Sequence, residues 1–303
     1  MLMIVDAPGL WFRSFYGVPS SVRAPDGTPV NAVRGFVDGL ATLIRAYGPS
    51  ELVCAVDLDW RPQWRVDLLP TYKTHRVADS GEEEAPDELG PQVEVIVEVL
   101  AALGVPVVGS AGFEADDVLA TLAARASGPV DVVTGDRDLF QLVADARSVR
   151  VVYIGRGIGK AEAFDAAAVR ERFGVEPGQY ADYAVLRGDP SDGLPGVKGV
   201  GDKTAARLIT EFGSLDGLAA AAAEGAKGVT PRVRTSLAEA AGYLKAAPTV
   251  VRTVADVPLP EVDGTLRAEP ADPVALEALS ARWGIGSPLG RFRAAVEGVP
   301  ASS

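Results

Sequence analysis

The first 174 residues alternate short apolar runs with longer segments of helical periodicity. This alternation is typical of a mostly parallel β-sheet with helices on both faces. Ligands of such sheets usually gather at the carboxyl ends of the strands. The apolar runs predict strands at Leu2–Val5, Leu52–Val56, Val105–Val108, Val130–Val133 and Val149–Tyr153.

Helical periodicity accounts for most of the remaining sequence. In the first part of the chain it predicts helices at Asn31–Tyr47, Pro91–Leu103, Glu114–Ala126 and Arg137–Val143. After Gly174 we predict no strand and the helices Pro177–Leu186, Lys203–Phe212, Leu215–Ala223, Pro231–Ala246 and Pro273–Trp283. We therefore predict an α/β core over residues 1–174 and a helical region over residues 175–303 packed on it. Asp79–Gly90 and the tail after Val299 are predicted to be irregular or mobile.

Length and residue types exclude several classes of protein. A chain of 303 residues can bury a substantial core. No stretch approaches the roughly 20 uninterrupted apolar residues of a membrane span, and the N-terminus lacks the basic region of a signal peptide. Cys54 is the one cysteine, so no intramolecular disulfide is possible. We expect a cytoplasmic protein, a monomer, with no membrane partner.

The formal net charge of −12 must be reconciled with any nucleic-acid partner. Seven of the 41 acids lie between Asp79 and Glu94, without a Lys or Arg among them, and nine lie at the strand ends discussed next. The other 25 acids are outnumbered by the 29 Lys and Arg residues, so the rest of the chain is mildly basic. Charge distribution, not the total, decides what a surface can bind.

Acidic residues follow the predicted strands, at or just beyond the point where each strand ends. Because parallel strands point their carboxyl ends the same way, the groups after the first four strands should converge on one edge of the sheet. A further pair lies in the segment Gly188–Gly193. The nine acids are Asp6, Asp57, Glu114, Asp116, Asp117, Asp136, Asp138, Asp189 and Asp192.

Carboxylates packed this closely repel one another and raise one another's pKa, and hard divalent cations remove that penalty. Oxygen ligands without His or Cys suit Mg²⁺ or Mn²⁺ and disfavour zinc. Two such ions can activate water and stabilise a leaving oxygen in phosphoryl displacement. His75 is the only histidine, so a His-based general acid/base system is not available. The alternative is that these acids are ordinary helix caps and turn residues.

A glycine-rich turn opens directly into a basic helix at residues 196–212. Gly196, Gly199 and Gly201 would let the backbone approach a ligand closely, and amide groups at a helix N-terminus favour a phosphate. The positive charges beside the turn are Lys198, Lys203 and Arg207. These features predict a helix–hairpin–helix that grips the DNA backbone without reading bases.

Taken together, these motifs resemble the bacterial and phage 5′-nuclease family, the flap endonuclease and 5′-3′ exonuclease group with a PIN-like fold. The resemblance covers roughly Met3 to Arg293, and about ten residues follow, so we expect a stand-alone form without the polymerase domain often fused to such nucleases. It implies two or three Mg²⁺ or Mn²⁺ ions. Asp6, Asp57, Glu114 and Asp116 would bind the first, and Asp136, Asp138, Asp189 and Asp192 the second. Asp117 would bind a metal ion either directly or through another ligand.

The resemblance also assigns roles to basic and aromatic residues. Residues 60–90 would form an arch over the site, where Tyr72 would stack on an unpaired base, Lys73 would neutralise the scissile phosphate, and Arg76 would assist. Arg13 and Arg65 would contact DNA. A K⁺ ion would bridge the hairpin to a phosphate. For Tyr72, Lys73 and Arg76 the alternative is packing on the sheet or an exposed charged surface.

Four departures from the family pattern bear on these roles. Ala7-Pro8 follows Asp6 where a glycine and a polar residue are common, and Pro8 fits the first turn of a helix. One extra residue precedes Arg65, so Asp59 is a rival or helper to Asp57. Gly193 stands where an asparagine is common. The acidic run at 82–84 occupies an arch in which basic residues are expected.

The resemblance therefore implies a structure-selective 5′ nuclease that cuts 5′-flap, nicked or 5′-ended DNA in replication or repair. Two other functions stay open at this point. One is a DNA-binding relative with a degenerate site that recognises flaps or junctions without cutting. The other is a PIN-like ribonuclease, against which the predicted duplex-gripping hairpin argues.

Overall fold

A six-stranded sheet forms the centre of the computed structural model, which describes residues 1–78, 81 and 83–299. Its strand order is β3-β2-β1-β4-β5-β6, and every neighbouring pair is parallel except β5 and β6. The predicted α/β class with a mostly parallel sheet is confirmed. The strands are β1 (Leu2–Asp6), β2 (Glu51–Ala55), β3 (Val107–Val108), β4 (Val130–Thr134), β5 (Val149–Tyr153) and β6 (Glu162–Phe164).

The central strands are covered on both faces, which explains their nearly continuous apolar sequences. Successive side chains of a strand point to opposite faces, so Ile4 packs in one core and Met3 and Val5 in the other. Cys54 of β2 is buried, and burial raises the pKa of its thiol to about 12. The strand order reverses direction between β1 and β4, which creates a crevice at their carboxyl ends.

Helices cover the two faces of the sheet. Within the first 174 residues they are α1 (Ala7–Gly17), α2 (Asn31–Tyr47), α3 (Gln63–Leu68), α4 (Gly90–Leu103), α5 (Ala115–Arg125) and α6 (Ala166–Phe173). α1, α2 and α4 share the core of Met3 and Val5, whereas α5 packs on the face of Ile4.

The remaining described residues form a helical region, without a strand longer than an isolated bridge up to residue 299. Its helices are α7 (Tyr180–Arg187), α8 (Asp202–Phe212), α9 (Leu215–Ala223), α10 (Pro231–Glu239), α11 (Ala241–Val251), α12 (Pro273–Trp283) and α13 (Gly286–Glu297). α7, α8 and α11 extend the core on the side of α5. α12 and α13 return to the opposite face and pack with α4 and α2.

The structure corrects several predicted elements. The helix predicted at Arg137–Val143 is a 3-10 helix of five residues, Asp138–Leu142. The third strand pairs only at Val107 and Val108, and the helix predicted at Pro231–Ala246 divides at Ala240. We did not predict α1, α3, α6, α13 or the edge strand β6. Segments as short as α3 and β6 carry little periodic signal.

Part of the segment predicted to be irregular can be described. Residues 79, 80 and 82 lie outside the described residues, as does the tail from 300 to 303. Val77 pairs with Glu83 in one antiparallel bridge, and α4 begins at Gly90. No helix in the described ranges is long and apolar enough to cross a membrane.

Candidate active site

A cavity of about 680 Å³ opens at the carboxyl ends of β1, β2 and β4. Five of the nine predicted acids line it together, although they come from distant parts of the sequence. They are Asp6, Asp57, Asp116, Asp136 and Asp189. The edge of the sheet therefore gathers these acids as the strand pattern predicts.

Asp6 is fixed where β1 passes directly into α1. Its Oδ1 accepts a hydrogen bond from the Gly9 amide at 2.8 Å, and its Oδ2 accepts one from the Thr134 hydroxyl at 2.9 Å. A Cβ on Gly9 would lie 2.3 Å from Asp6 Oδ2, so only glycine leaves room for this cap. Asp6 is thereby held between the ends of β1 and β4.

Asp57 binds the first turn of α5, where the Ala115 amide donates to its Oδ1 at 2.7 Å. This bond brings Asp116, the next residue, to the cavity wall. Asp59 instead accepts a hydrogen bond from the Arg61 amide and does not line the cavity. The extra residue in this segment therefore leaves Asp57, not Asp59, at the acidic cavity.

Asp136 and Asp138 lie in the turn after β4. The Asp136 amide donates to Thr134 Oγ1, and the Asp138 amide donates to Asp136 Oδ1 at 2.8 Å. Asp138 and Asp192 lie beside Asp116 around a smaller space of about 20 Å³. Asp138 Oδ1 is buried without a hydrogen-bond partner among the described residues, and Arg187 Nη2 lies 4.0 Å from it. A buried carboxylate oxygen without a hydrogen bond would be stabilised by a closer cation.

Burial raises the pKa of Asp6, Asp57, Asp116, Asp136 and Asp138, and for the last four neighbouring negative charges raise it further. The pKa of Asp57 rises to about 7 and that of Asp136 to about 6. The pKa values of Asp116 and Asp138 rise well above their ordinary value, in both cases with repulsion from Asp136. Buried, mutually repelling oxygen donors form a set that suits a hard divalent cation.

The acids share a space without forming a preassembled ligand cage. Within residues 1–78, 81 and 83–299, no three His, Cys, Asp or Glu side chains are already arranged around one ion position. Several of the predicted ligands are paired with basic side chains instead. Lys73 pairs with Glu114, Arg76 with Asp192 at 2.8 Å, and Arg187 Nη2 with Asp189 at 3.3 Å.

The predicted hairpin lies beside this cavity. Val197 and Val200 of the glycine turn are buried in the core, whereas Lys198 and Lys203 are exposed. Gly201 precedes α8 and Lys203 lies in its first turn. Arg207 is less available, because it pairs with Glu211 at 2.6 Å and donates to the Gly228 carbonyl.

Comparison with known proteins decides the family. Residues 1–174 match the family model described as the 5′-3′ exonuclease N-terminal resolvase-like domain, and residues 175–273 match the 5′-3′ exonuclease C-terminal SAM fold. The chain belongs to the 5′-3′ exonuclease family. It is 56% identical to a 5′-3′ exonuclease of Streptomyces coelicolor over 96% of this chain and 98% of that protein. A 5′-3′ exonuclease of Mycobacterium tuberculosis is 50% identical over 99% and 98%.

Longer and more distantly related proteins are also similar to this chain. DNA polymerase I of Mycobacterium bovis is 40% identical over 89% of this exonuclease-family chain but only 29% of the polymerase. Among solved structures, the T5 D15 protein has a TM-score of 0.63 at 19% identity, with 98% of each chain covered. Human GEN1 has a TM-score of 0.59 at 16% identity, with 97% of this chain and 71% of GEN1 covered. These structures share the fold.

Two residues of the exonuclease-family site, Arg65 and Tyr72, are buried where the resemblance implies contact with DNA, and Asp117 is placed for the indirect of its two expected roles. Arg65 is buried and pairs with Glu114 and Asp117, so its guanidinium is not exposed to a DNA strand in this structure. Asp117 is fully buried with both carboxylate oxygens hydrogen-bonded, so it does not face an ion directly. Tyr72 is also buried, and its hydroxyl donates to Glu114 Oε2 at 2.7 Å. Its ring therefore offers no surface for stacking on a base.

The other assigned residues lie either in the lining of the acidic cavity or behind its wall. Lys73, Arg76 and Arg13 line the acidic cavity, and Arg13 donates to the carbonyls of Gly155 and Gly135. Glu114 lies behind the cavity wall, with its carboxylate held by Arg65, Tyr72 and Lys73.

The backbone conformation and the surroundings of Gly193 explain why a glycine stands where an asparagine is common in the family. It has φ +71°, and a Cβ there would lie 2.0 Å from the Thr71 carbonyl oxygen. Lys73 donates its amide to the carbonyl of Asp192 in the same contact. Thr71 and Lys73, within the segment predicted to form the arch, lie so close to the Asp189–Asp192 turn that an asparagine side chain does not fit at position 193.

A second, cationic cavity of about 650 Å³ lies between β5, β6, the end of α6 and the start of α8. It shares Arg137 and Tyr153 with the acidic cavity, so the two cavities are adjacent. Its basic residues are Arg137, Arg156, Arg172, Arg187 and Lys203. Only Lys203 was predicted, because isolated arginines far apart in the chain form no recognisable motif.

Proposed function

We propose that this chain is a structure-selective, divalent-metal-dependent 5′ nuclease. It would hydrolyse phosphodiester bonds in DNA as a 5′-flap endonuclease and a 5′-3′ exonuclease in replication or repair. The observation that carries the proposal is one cavity lined by Asp6, Asp57, Asp116, Asp136 and Asp189 beside Lys73 and Arg76. Family membership and this carboxylate set favour catalysis over a binding-only role.

The donor set suits Mg²⁺ or Mn²⁺, since only oxygen ligands are present and Asp138 has a buried oxygen without a hydrogen bond, 4.0 Å from Arg187 Nη2. Asp6, Asp57, Asp116 and, after rearrangement, Glu114 would hold one ion. Asp136, Asp138, Asp189 and Asp192 would hold a second, and a third is compatible with the resemblance. When bound, the ions would supply an activated water and charge stabilisation at the leaving oxygen.

The basic residues of the cavity would position the DNA strand. Lys73 lies on a backbone with φ +48°, buried against Glu114, and its ammonium group would neutralise the scissile phosphate as a compact charge. Arg76 reaches Asp192 and the Ser191 carbonyl from the arch base. Arg13, fixed on two carbonyls, would present the rest of its guanidinium to the strand.

The DNA backbone would extend from the acidic cavity to the hairpin. The cationic cavity would lie along this path, since its lining includes Arg137, which also lines the acidic cavity, and Lys203 in the first turn of α8. Lys198 and the amides around Gly199 and Gly201 would bind phosphates, with K⁺ as a possible bridging ion. Structural neighbours include T5 D15 in a pseudo-enzyme-product complex with DNA and metal ions and the Rad2 core with a DNA substrate.

The proposal is tested with purified protein and a 5′-flap DNA labelled at its 5′ end, in Mg²⁺, Mn²⁺ or EDTA. We expect a short labelled product with either metal and none in EDTA. A flap of the same sequence made of RNA should be cut much more slowly. Absence of product at every metal concentration, with intact flap binding, would contradict the nuclease and leave the junction-binding alternative. Faster cleavage of the RNA would favour the ribonuclease.

A further inference from the structure

Arg65 is a charged side chain enclosed within the protein, and its exposed fraction is 2%. Its Nη1 donates to Glu114 Oε2 at 2.5 Å and to Asp117 Oδ2 at 2.8 Å, and its Nη2 donates to Asp117 Oδ1 at 2.8 Å. Its Nε donates to the Val250 carbonyl at 3.1 Å. The guanidinium group thus joins α3, the first turn of α5 and the end of α11.

Asp117 completes the same connection from the other side. Its Oδ1 also accepts a hydrogen bond from the Val254 amide at 2.8 Å, and its Oδ2 accepts one from the Glu114 amide at 3.2 Å. Residues of the helical region therefore bind both members of the Arg65–Asp117 pair. The pair forms a bridge between that region and the N-terminus of α5.

The first turn of α5 is the element that presents acids to the cavity. Glu114 precedes it and binds Tyr72 and Lys73, the Ala115 amide holds Asp57, and Asp116 lines the cavity. A displacement of this turn would move all of these groups together. Arg65 does not line the large acidic cavity.

We propose that Arg65 is a positioning residue that sets the divalent-metal affinity of the acidic site by fixing the first turn of α5 against the helical region. This proposal rests on the proposed function. The planar guanidinium makes a bidentate pair with Asp117 while it contacts Glu114 and Val250, which a lysine ammonium cannot reproduce. Removing the charge would leave the Asp117 carboxylate buried without a cation and would leave Glu114 with Lys73 as its cation.

The main test is the variant Arg65→Lys, which keeps the charge and loses the planar fork. Mn²⁺ binding is measured by calorimetry without DNA, and unfolding is followed by thermal melting in EDTA. We expect the Kd for Mn²⁺ to rise about 10-fold or more, the range found when groups that orient metal ligands are removed. Cleavage of 5′-flap DNA should fall at low Mn²⁺ and recover at high Mn²⁺.

Arg125→Lys is the matched control. Arg125 lies at the other end of α5 and donates to the carbonyls of Val257 and Leu259, so it also ties α5 to the segment after α11. Its guanidinium makes no hydrogen bond to an acid of the site in the described residues. We expect the Kd for Mn²⁺ to stay within about twofold of the parental value, because the contacts of Arg125 do not orient a metal ligand. An equal rise in both variants would overturn the proposal in favour of a general tethering effect.

DNA binding separates this role from a phosphate contact. In Ca²⁺ without cleavage, Arg65→Lys should bind 5′-flap DNA with the parental Kd and salt dependence. A salt slope reduced by about one, together with an unchanged Mn²⁺ Kd, would overturn the positioning role.

Asp117→Asn keeps the test decisive if Arg65→Lys unfolds, because it weakens the same pair from the other side. It should also raise the Mn²⁺ Kd, and the double variant should show less than the sum of the two effects. Additive effects would overturn the bridge. An unchanged Kd in variants of a metal-binding parent would overturn the role of Arg65 alone. A parent that binds no Mn²⁺ would overturn the metal-dependent function together with it.

Discussion

Asp136 illustrates the conflict between stability and function at the level of single residues. It is held by backbone hydrogen bonds in the turn after β4, yet burial and the nearby Asp192 and Asp6 raise its pKa to about 6. A residue kept only for packing would not need to be acidic at this position. Its charge has a use if a cation shares it, so removing the charge should separate catalysis from folding.

We expect Asp136→Asn to reduce cleavage of a 5′-flap DNA by at least about 100-fold, because losing a ligand charge should cost more than the roughly 10- to 100-fold lost when a group that only orients a ligand is removed. The amide is isosteric and can still accept the hydrogen bond from Asp138. The Kd for the same DNA in Ca²⁺ should change by less than about threefold, since phosphate contacts dominate DNA affinity. Single-turnover cleavage and a gel-shift titration measure the two quantities.

Asp59→Asn is the control, because Asp59 lies two residues from Asp57 but outside the cavity. It should cleave close to the parental rate. Near-parental cleavage by Asp136→Asn would show that this carboxylate is not a ligand of the reaction.

The hairpin is recognisable from the sequence, but its three basic residues are not equally available to bind DNA. Its glycines and its position before α8 follow the predicted pattern. Lys198 and Lys203 are exposed, whereas Arg207 is committed to Glu211 and the Gly228 carbonyl. We therefore expect the two lysines to contribute more to DNA binding than the arginine.

Replacing Lys198 and Lys203 together by Gln should weaken binding to a 5′-flap duplex and lower the slope of log K against log salt by about two, since each lost phosphate contact lowers it by about one. Arg207→Gln should lower the slope by less. Fluorescence anisotropy at several salt concentrations measures these slopes. An unchanged slope in the lysine pair would refute their contact with phosphates.

At the scale of the whole molecule, the acidic cavity is a source of pH-dependent instability. The folded-state pKa of Asp57 is about 7, and its ordinary value is 3.8. Between these values the folded protein binds more protons than the unfolded chain, so the free energy of unfolding falls as pH rises. The contribution of the protonated group is therefore complete below about pH 4 and is lost as pH rises through 7.

We expect Asp57→Asn in EDTA to raise the free energy of unfolding at pH 8 by about 1 to 3 kcal/mol, since one pKa unit corresponds to about 1.36 kcal/mol and solvent in the open cavity reduces the effect. At pH 5 the carboxyl is protonated in the folded parent but mostly ionised in the unfolded chain, so the variant should still gain stability, by less than at pH 8. Urea unfolding at both pH values measures the difference, with Asp59→Asn as the neutral control. Equal effects at pH 5 and pH 8 would contradict the role of charge.

The amino-acid sequence alone was sufficient to predict the parallel sheet, the hairpin and the convergence of Asp6, Asp57, Asp116 and Asp136. The reason is geometric, because the carboxyl ends of parallel strands share one edge, so local strand patterns imply long-range proximity. Only the tertiary structure decided which charges face the cavity and which lie behind it. The guanidinium of Arg65 is enclosed partly by Val250, 185 residues away, and burial of this kind depends on packing between elements that no local pattern encodes.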